Sequence, residues 1–567
     1  MTSSDSKLVE IFIPGPVGRL EAKYYKSKKN TSPIALVLHP HPQYGGTMNN
    51  KVVVDTFQTF VDNDFSVAEA FAVKDGKFIQ IGTSEEIEEK YRSVKRVDAE
   101  GKAITPGLID AHCHFYALGL NQQTVDLTGT KSYEEVLQRV KDFQAKNQKQ
   151  FIVGRGWDQN DWPIKEFPDK KELDELFPDT PVALGRIDGH ALLVNSAALD
   201  LAKIDESTRV AGGEIVRGKN GLSGVLIDNP MDLIEKVIPE NSLSTRIKAL
   251  KDAESICVGY GLTTVNDAGI DRSTIELIDS LQQAGQLSIR VYAMISNNED
   301  DVDYFISQRP LKTERLNVRS VKVYGDGALG SRGAALKKEY SDKQGHFGAM
   351  VTPVDAIGEL AQKMAKSEFQ MNTHAIGDSA NAVVLRAYKD ALGNQKNRRW
   401  KIEHAQVIDE IDFNFFEEGI IPSVQPTHAT SDMYWAEDRL GEERLQEGAY
   451  AYKKLLDQAG LVALGTDFPV EQVSTFLTFY AAVARKDTEN YPEGGFMKEE
   501  ALTREETLKG MTIWAAYANF EEDEKGSIEK GKFADFILLE KDIMEVDESE
   551  IPHLKVVETY LGGEKVF

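Results

Sequence analysis

The residues whose type and spacing could most readily do chemistry are two histidines set two apart. They close the stretch Ile104-Thr105-Pro106-Gly107-Leu108-Ile109-Asp110-Ala111-His112-Cys113-His114. On a strand, side chains alternate between faces, so His112 and His114 would point one way and Cys113 the other. Two imidazoles side by side at a strand end make half of a metal site. An isolated pair of this kind is more often two ordinary histidines, so the reading depends on further ligands at matching places.

Four such residues are present. Lys322 lies in Val321-Lys322-Val323-Tyr324-Gly325-Asp326-Gly327 and His374 in Asn372-Thr373-His374-Ala375-Ile376-Gly377-Asp378. His404 lies in Ile402-Glu403-His404-Ala405-Gln406, and Asp467 in Leu464-Gly465-Thr466-Asp467-Phe468-Pro469. A lysine among apolar strand residues is costly to bury unless it is neutralised or chemically altered. Its alternative is a stem packed on the barrel with the ammonium reaching water, and Asp467 could merely cap a turn. With Cys113 and Cys257 the only cysteines, a metal would have to be held mainly by imidazole and carboxylate.

The elements that must position these residues alternate between strand and helix. Candidate buried strands are 108–114, 263–268, 289–295, 320–324, 370–374, 401–404, 421–425 and 461–467, with helices such as 273–283, 354–366 and 380–391 between them. Eight strands in β/α alternation predict an α/β fold, a (β/α)8 TIM barrel over 108–520 with the polar residues at its C-terminal end, where barrel active sites are built. The first gap is too long for one βα unit, so an inserted subdomain is expected at about 120–240. Strand-rich stretches at 67–107 and 521–567 flank the barrel and predict one small β-sandwich domain made from both.

Bulk properties narrow the partners. A formal net charge of -25, from 91 acidic against 66 basic residues, argues against nucleic acid or an anionic membrane. No apolar run approaches a membrane span and no secretion signal is evident, so a cytoplasmic protein is expected.

Together these motifs resemble the amidohydrolase superfamily of metal-dependent barrel hydrolases. Within it they are most similar to amidohydrolase family 3, the branch related to the N-substituted formamide deformylases. The resemblance spans about 67–567 and rests on the Pro-Gly-Leu-Ile-Asp-Ala-His-Cys-His stretch, Arg186-Ile187-Asp188-Gly189-His190 with Asn195-Ser196, and the runs around Lys322, His374, His404 and Asp467. Ser423-Val424-Gln425-Pro426-Thr427-His428 completes the set. It implies a metal shell of His112, His114, Lys322 as a carbamate, His374, His404 and Asp467, holding one or two divalent ions, with zinc expected. It places His190 and His428, with Asp188 and Trp157, on the substrate side; for the histidines a structural role is the alternative, and for Trp157 core packing is.

The chemistry implied is hydrolysis of a small non-peptide amide, formamide or cyclic amide, with Asp467 and Lys322 as catalytic residues. A divalent ion lowers the pKa of water and polarises a carbonyl, and Asp467 would carry the proton to the departing nitrogen. Esterase activity on the same site is an alternative, and so is a barrel retained for assembly, although all six ligand positions carry usable residues. A homodimer is left open.

Residues 1–66 read differently. Val9–Ile13, Arg19–Tyr25 and the apolar run Ile34–Leu38, the last as in a buried parallel strand, precede His39-Pro40-His41-Pro42 and a helical stretch near 50–62. This resembles the opening of an α/β-hydrolase, yet no G-x-S-x-G nucleophile elbow occurs in the chain, so an esterase of that kind is disfavoured and His39 and His41 are read as turn residues. The opening strand usual in the small β domain, with its Asn-Gly turn, is missing. We therefore read the chain as a chimera joined within 61–67, with a destabilised barrel of little activity as one consequence and a divergent first domain as the other reading.

Overall fold

The computed structural model describes residues 68–91, 95–219 and 221–567, together with the backbone of three earlier strands. Met1–Glu69 and Ala70–Phe567 are separate compact units. In the first, Val9–Gly15 pairs with Gly18–Tyr24, and Leu36–Leu38 pairs with Gly18–Tyr24 on its other side. Both pairings are antiparallel, so the parallel role expected for the apolar run is corrected; an apolar run reports burial, not strand direction. His39, His41, the helical stretch at 50–62 and the junction at 61–67 lie outside the described residues.

In the second unit eight strands form one parallel sheet in sequence order. They are β1 (Leu108–Cys113), β2 (Leu262–Ile270), β3 (Arg290–Ser296), β4 (Leu316–Tyr324), β5 (Gln370–Ala375), β6 (Lys401–His404), β7 (Ile421–Val424) and β8 (Ala463–Leu464). The strands are buried on both faces, which is why they read as continuous apolar runs. Along β3, Val291, Ala293 and Ile295 pack under the outer helices while Tyr292 and Met294 fill the interior with Ala268. Truncating a residue such as Ile295 to alanine would cost about 2–5 kcal/mol.

The outer helices follow from their apolar spacing and caps. Arg272–Gln283 buries Ile275, Ile278 and Leu281, a stripe three residues apart, and Asp271 caps its first turn through the Thr274 amide at 2.9 Å. At the barrel's N-terminal end the short helix Ile513–Ala518 sets Ala515, Ala516 and Ala518 against Ile109, Ala111 and Ala463. Small side chains there allow close approach to the strand ends.

β8 is shorter than the expected 461–467, because the chain leaves the ladder after Leu464 and crosses to β1. The Gly465 amide still donates to Val424 O at 3.0 Å, but the Asp467 amide donates to His112 O and the His114 amide to Phe468 O, each at 2.8 Å. These bonds close the barrel.

Between β1 and β2 sits a six-stranded sheet, ordered Gly213–Gly218, Gly221–Asp228, Ala191–Val194, Val182–Arg186, Ile152–Trp157 and Val125–Asp126. Separate apolar clusters cover it, one around Val136, Trp157 and Trp162 and another around Val194, Leu199 and Leu226. A third assembly joins both ends of the unit. Ala103–Pro106, Phe536–Leu539, Val556–Leu561 and Glu564–Lys565 form one sheet, and the hairpin Ala70–Lys74/Lys77–Gly82 packs against it. The hairpin turns at Asp75-Gly76, both with positive φ, as a two-residue hairpin turn demands. Phe71, Phe78, Phe536 and Tyr560 form its core, with the Phe536 and Tyr560 rings stacked 4.4 Å apart.

Candidate metal centre

All six expected ligands reach one region at the C-terminal end of the barrel. On β1, His112 Nδ1 donates to Glu403 Oε2 at 2.6 Å, and His114 Nδ1 donates to the Ala268 carbonyl at 3.0 Å. A carboxylate and a carbonyl only accept, so each Nδ1 carries a proton and each Nε2 is the atom turned into the site. Both Nε2 atoms face Asp467 Oδ1, at 3.6 Å from His112 and 3.3 Å from His114. Burial holds the His114 imidazole below its usual pKa, against the opposing pull of the Asp467 carboxylate.

Strands β4, β5 and β6 bring up the rest. Lys322 Nζ lies 3.1 Å from His112 Nε2, and burial pulls the lysine down to about 8. The His374 and His404 rings are 4.5 Å apart, and His404 lies 4.8 Å from His112. Burial pushes both His374 and His404 well below the ordinary histidine range. His404 has φ +75°, an uncommon backbone conformation for a residue with a side chain, as does Asp467 at φ +62°. Such geometry persists where the surroundings over-determine it, and it clusters at functional sites.

The donor set fits a divalent cation. His404 Nδ1 and Asp467 Oδ1 are buried and without a hydrogen-bond partner. One donor atom each from His112, His404 and Asp467 lies within 4.8 Å of the others. Imidazole and carboxylate donor atoms converge here in one buried space, an arrangement that suits a divalent ion. Cys113 points away, its thiol 3.4 Å from the Asn266 carbonyl.

The expected substrate-side residues divide. His428, on the helix Pro426–Asp432 after β7, sits between two carboxylates, with Nε2 3.2 Å from Asp467 Oδ2 and Nδ1 3.3 Å from Glu471 Oε1. Burial opposes its charge, but the two carboxylates win and hold it up to about 10. For Asp467, burial works to raise the pKa, and the ring nitrogens of His114 and His428 outweigh it, leaving the carboxyl well below its usual range. His190 reaches over from the inserted sheet: its ring lies 5.0 Å from that of His374, and its Nδ1 is 2.7 Å from Asp228 Oδ1. Asp188 is one step further out, paired with Arg186 and accepting from the His190 amide at 3.0 Å. Trp157 is corrected: it is fully buried in the core of the inserted sheet, its indole N–H donating to the Leu184 carbonyl at 2.7 Å. A large apolar ring there gains more from core burial than a pocket wall could offer.

Several residues around the site escaped the sequence reading. Glu403 orients His112, as an outer carboxylate commonly orients a ligand histidine. Asp326 accepts from the amides of Ile376 at 3.0 Å and of Gly377 and Ala335 at 2.8 Å, fixing the loop that follows His374. Arg155 donates to the Ile187 carbonyl at 3.0 Å, under the turn that carries His190. It has no ion pair among the described residues, and its Nε is buried and unpartnered. Its one sequence signal is a charge between two glycines on an otherwise apolar strand.

Comparison with known proteins agrees with this geometry. The profile of the amidohydrolase family matches residues 95–567. The putative amidohydrolase YtcJ of Bacillus subtilis is 32% identical over 510 residues, covering 88% of this chain and 96% of its own. The N-substituted formamide deformylase of Arthrobacter pascens is 27% identical, covering 91% and 98%. Among solved structures, an uncharacterized metal-dependent hydrolase from Pyrococcus horikoshii OT3 superposes with a TM-score of 0.69 at 28% identity, over 84% of this chain and 94% of that one.

Proposed function

The chain belongs to the amidohydrolase family, and from that premise we propose that it hydrolyses the carbon–nitrogen bond of a small non-peptide amide with the help of one or two divalent ions. The observation that carries this reading is the convergence of His112 Nε2 and His114 Nε2 on Asp467 Oδ1, beside a His404 Nδ1 that is buried without a hydrogen-bond partner. His112, His114, His374, His404 and Asp467 would hold the ion, with Lys322 as a carbamate completing the shell; zinc suits such an imidazole and carboxylate set.

A bound ion of this kind brings the pKa of water near neutrality and polarises a carbonyl oxygen. The rest is the work of the chain. Asp467, held charged, takes the proton that the attacking water gives up and delivers it to the nitrogen as the carbon–nitrogen bond breaks, so the products are a carboxylic acid and an amine. Its second oxygen is held by His428, which fixes the carboxylate's orientation. His190, anchored by Asp228 beside His374, is placed to orient the substrate carbonyl. Lys322, pulled down by burial, has enough neutral amine near pH 8 to take up carbon dioxide. The name of the 27%-identical deformylase makes N-substituted formamides the first substrates to try.

The experiment is elemental analysis of the purified protein together with a panel of N-substituted formamides, other small amides and cyclic amides. We expect at least one divalent transition ion per chain and turnover of one class. Metal-free protein that gains neither ion nor activity on zinc addition would overturn the reading.

A further inference from the structure

The metal centre is divided between the two ends of the barrel sheet: β1 carries His112 and leads directly into His114, while Asp467 follows β8. These ends meet only through barrel closure, and β8 contributes just Ala463–Leu464 to the ladder. Beyond that ladder only two backbone bonds among the described residues join the ends, from the Asp467 amide to His112 O and from the His114 amide to Phe468 O, while the site needs Asp467 fixed closely.

A buried pair of side chains spans this seam. Asp110, two residues before His112, accepts through Oδ1 from the amides of His112 and Thr466, both at 3.1 Å. Through Oδ2 it accepts from the Thr466 hydroxyl at 2.7 Å. Thr466 Oγ1 in turn accepts from the Phe468 amide at 3.0 Å, so the hydroxyl hydrogen is committed to Asp110. Both residues are 2% exposed, so water does not compete for these bonds. Gly465 permits the close approach: a Cβ there would stand 2.5 Å from the His112 amide nitrogen and 2.8 Å from Asp110 Oδ1. The network thus grips the backbone on both sides of Asp467, at Thr466 and Phe468, and ties it to the backbone of His112.

We propose that Asp110 and Thr466 form a latch that sets the spacing between the β1 histidines and Asp467, and are therefore positioning residues for the metal centre. The proposal rests on His112, His114 and Asp467 holding the ion. Neither residue touches substrate or ion; each acts through the backbone of a ligand. Removing the Thr466 hydroxyl leaves Asp110 Oδ2 buried without a donor and frees the Phe468 amide, so the seam relaxes where the ligands sit.

The test compares Thr466→Val, Thr466→Ser and Thr466→Ala in the full chain. The readouts are zinc affinity by chelator competition, thermal midpoint, and kcat and KM on any substrate found. Thr466→Val keeps the volume and loses the hydroxyl; it should weaken zinc binding about 10- to 100-fold and lower kcat with little change in KM, as losses of ligand-orienting groups do. Thr466→Ser keeps the hydroxyl and should stay within about threefold of wild type. A merely structural role would lower the thermal midpoint while folded protein bound zinc as wild type does, and that result in Thr466→Val overturns the proposal. Should Thr466→Val fail to fold, Thr466→Ala decides. It also lacks the hydroxyl, so wild-type zinc affinity in its folded fraction overturns the latch equally. Wild-type protein that binds no zinc would instead overturn the reading of the site on which the latch rests.

Discussion

Asp467 Oδ1 lies 3.3 Å from His114 Nε2, although the two residues sit at opposite ends of the barrel sheet. The histidine's other nitrogen donates to the Ala268 carbonyl, so Nε2 is the atom turned toward the carboxylate. The site is built to hold a positive charge, and most of its testable behaviour follows from that.

Replacing His112 and His114 together with alanine removes two of the converging donors. We expect the double variant to lose both hydrolytic activity and bound metal while staying folded, because neither ring is needed to fill the outer core. Elemental analysis checks this, and full metal occupancy would place the site elsewhere.

Asp467→Asn keeps the side chain's shape and removes its ability to take up a proton. Turnover should fall by about 100-fold or more, with the thermal midpoint nearly unchanged. Near-normal turnover would require another base, and Glu471, on the far side of His428, would be the first to examine.

Asp267 gives a pH signature in stability. It is 1% exposed, and burial pushes it up to about 7, against the backbone amides of Tyr116 and Phe115. Its folded pKa therefore lies above the unfolded value, so any stability it contributes is fully present below about pH 4 and is lost as pH rises through 7. Asp267→Asn has no such dependence and retains an acceptor for Tyr116 N. Its thermal midpoint relative to wild type should rise between pH 5 and pH 8, by an energy on the order of 3 kcal/mol at most. A gap that does not change with pH would show that the residue is not held neutral by burial.

The small β domain is pinned to the barrel by a buried bidentate pair, Arg290 to Asp535, at 2.6 and 2.9 Å. Asp535→Ala leaves the guanidinium buried and unpaired, at a cost of about 3–5 kcal/mol. The loss should show in denaturant unfolding, while zinc affinity of the folded fraction stays at the wild-type value.

Deleting residues 1–60 should leave turnover per folded molecule unchanged, since every residue of the metal centre falls between His112 and Asp467. Any penalty should be confined to stability, read as a shift in thermal midpoint. Lost turnover in a fully folded truncation would bring His39 or His41 back into contention.

Local order alone determined much of this. The β/α rhythm placed all eight strands and three outer helices to within a few residues, because apolar runs and helical spacing are written in neighbouring positions. The H-x-H pair on β1 and the polar residues closing β5 and β6 were visible for the same reason: a strand's periodicity says which side chains share a face. Which side chains meet across the closed barrel was not visible. Glu403 orients a histidine 291 residues earlier, and His190 comes beside His374 only because a separately folded sheet leans over the barrel mouth. Trp157 shows the converse, since nothing in its neighbours distinguishes a pocket wall from a core. Asp110 and Thr466, 356 residues apart, read as an ordinary aspartate and threonine until the first and eighth strands meet. Periodicity assigns side chains to faces, but only the packed barrel decides which faces share one buried space, and burial without competing water is what turns their lone pairs into a metal site.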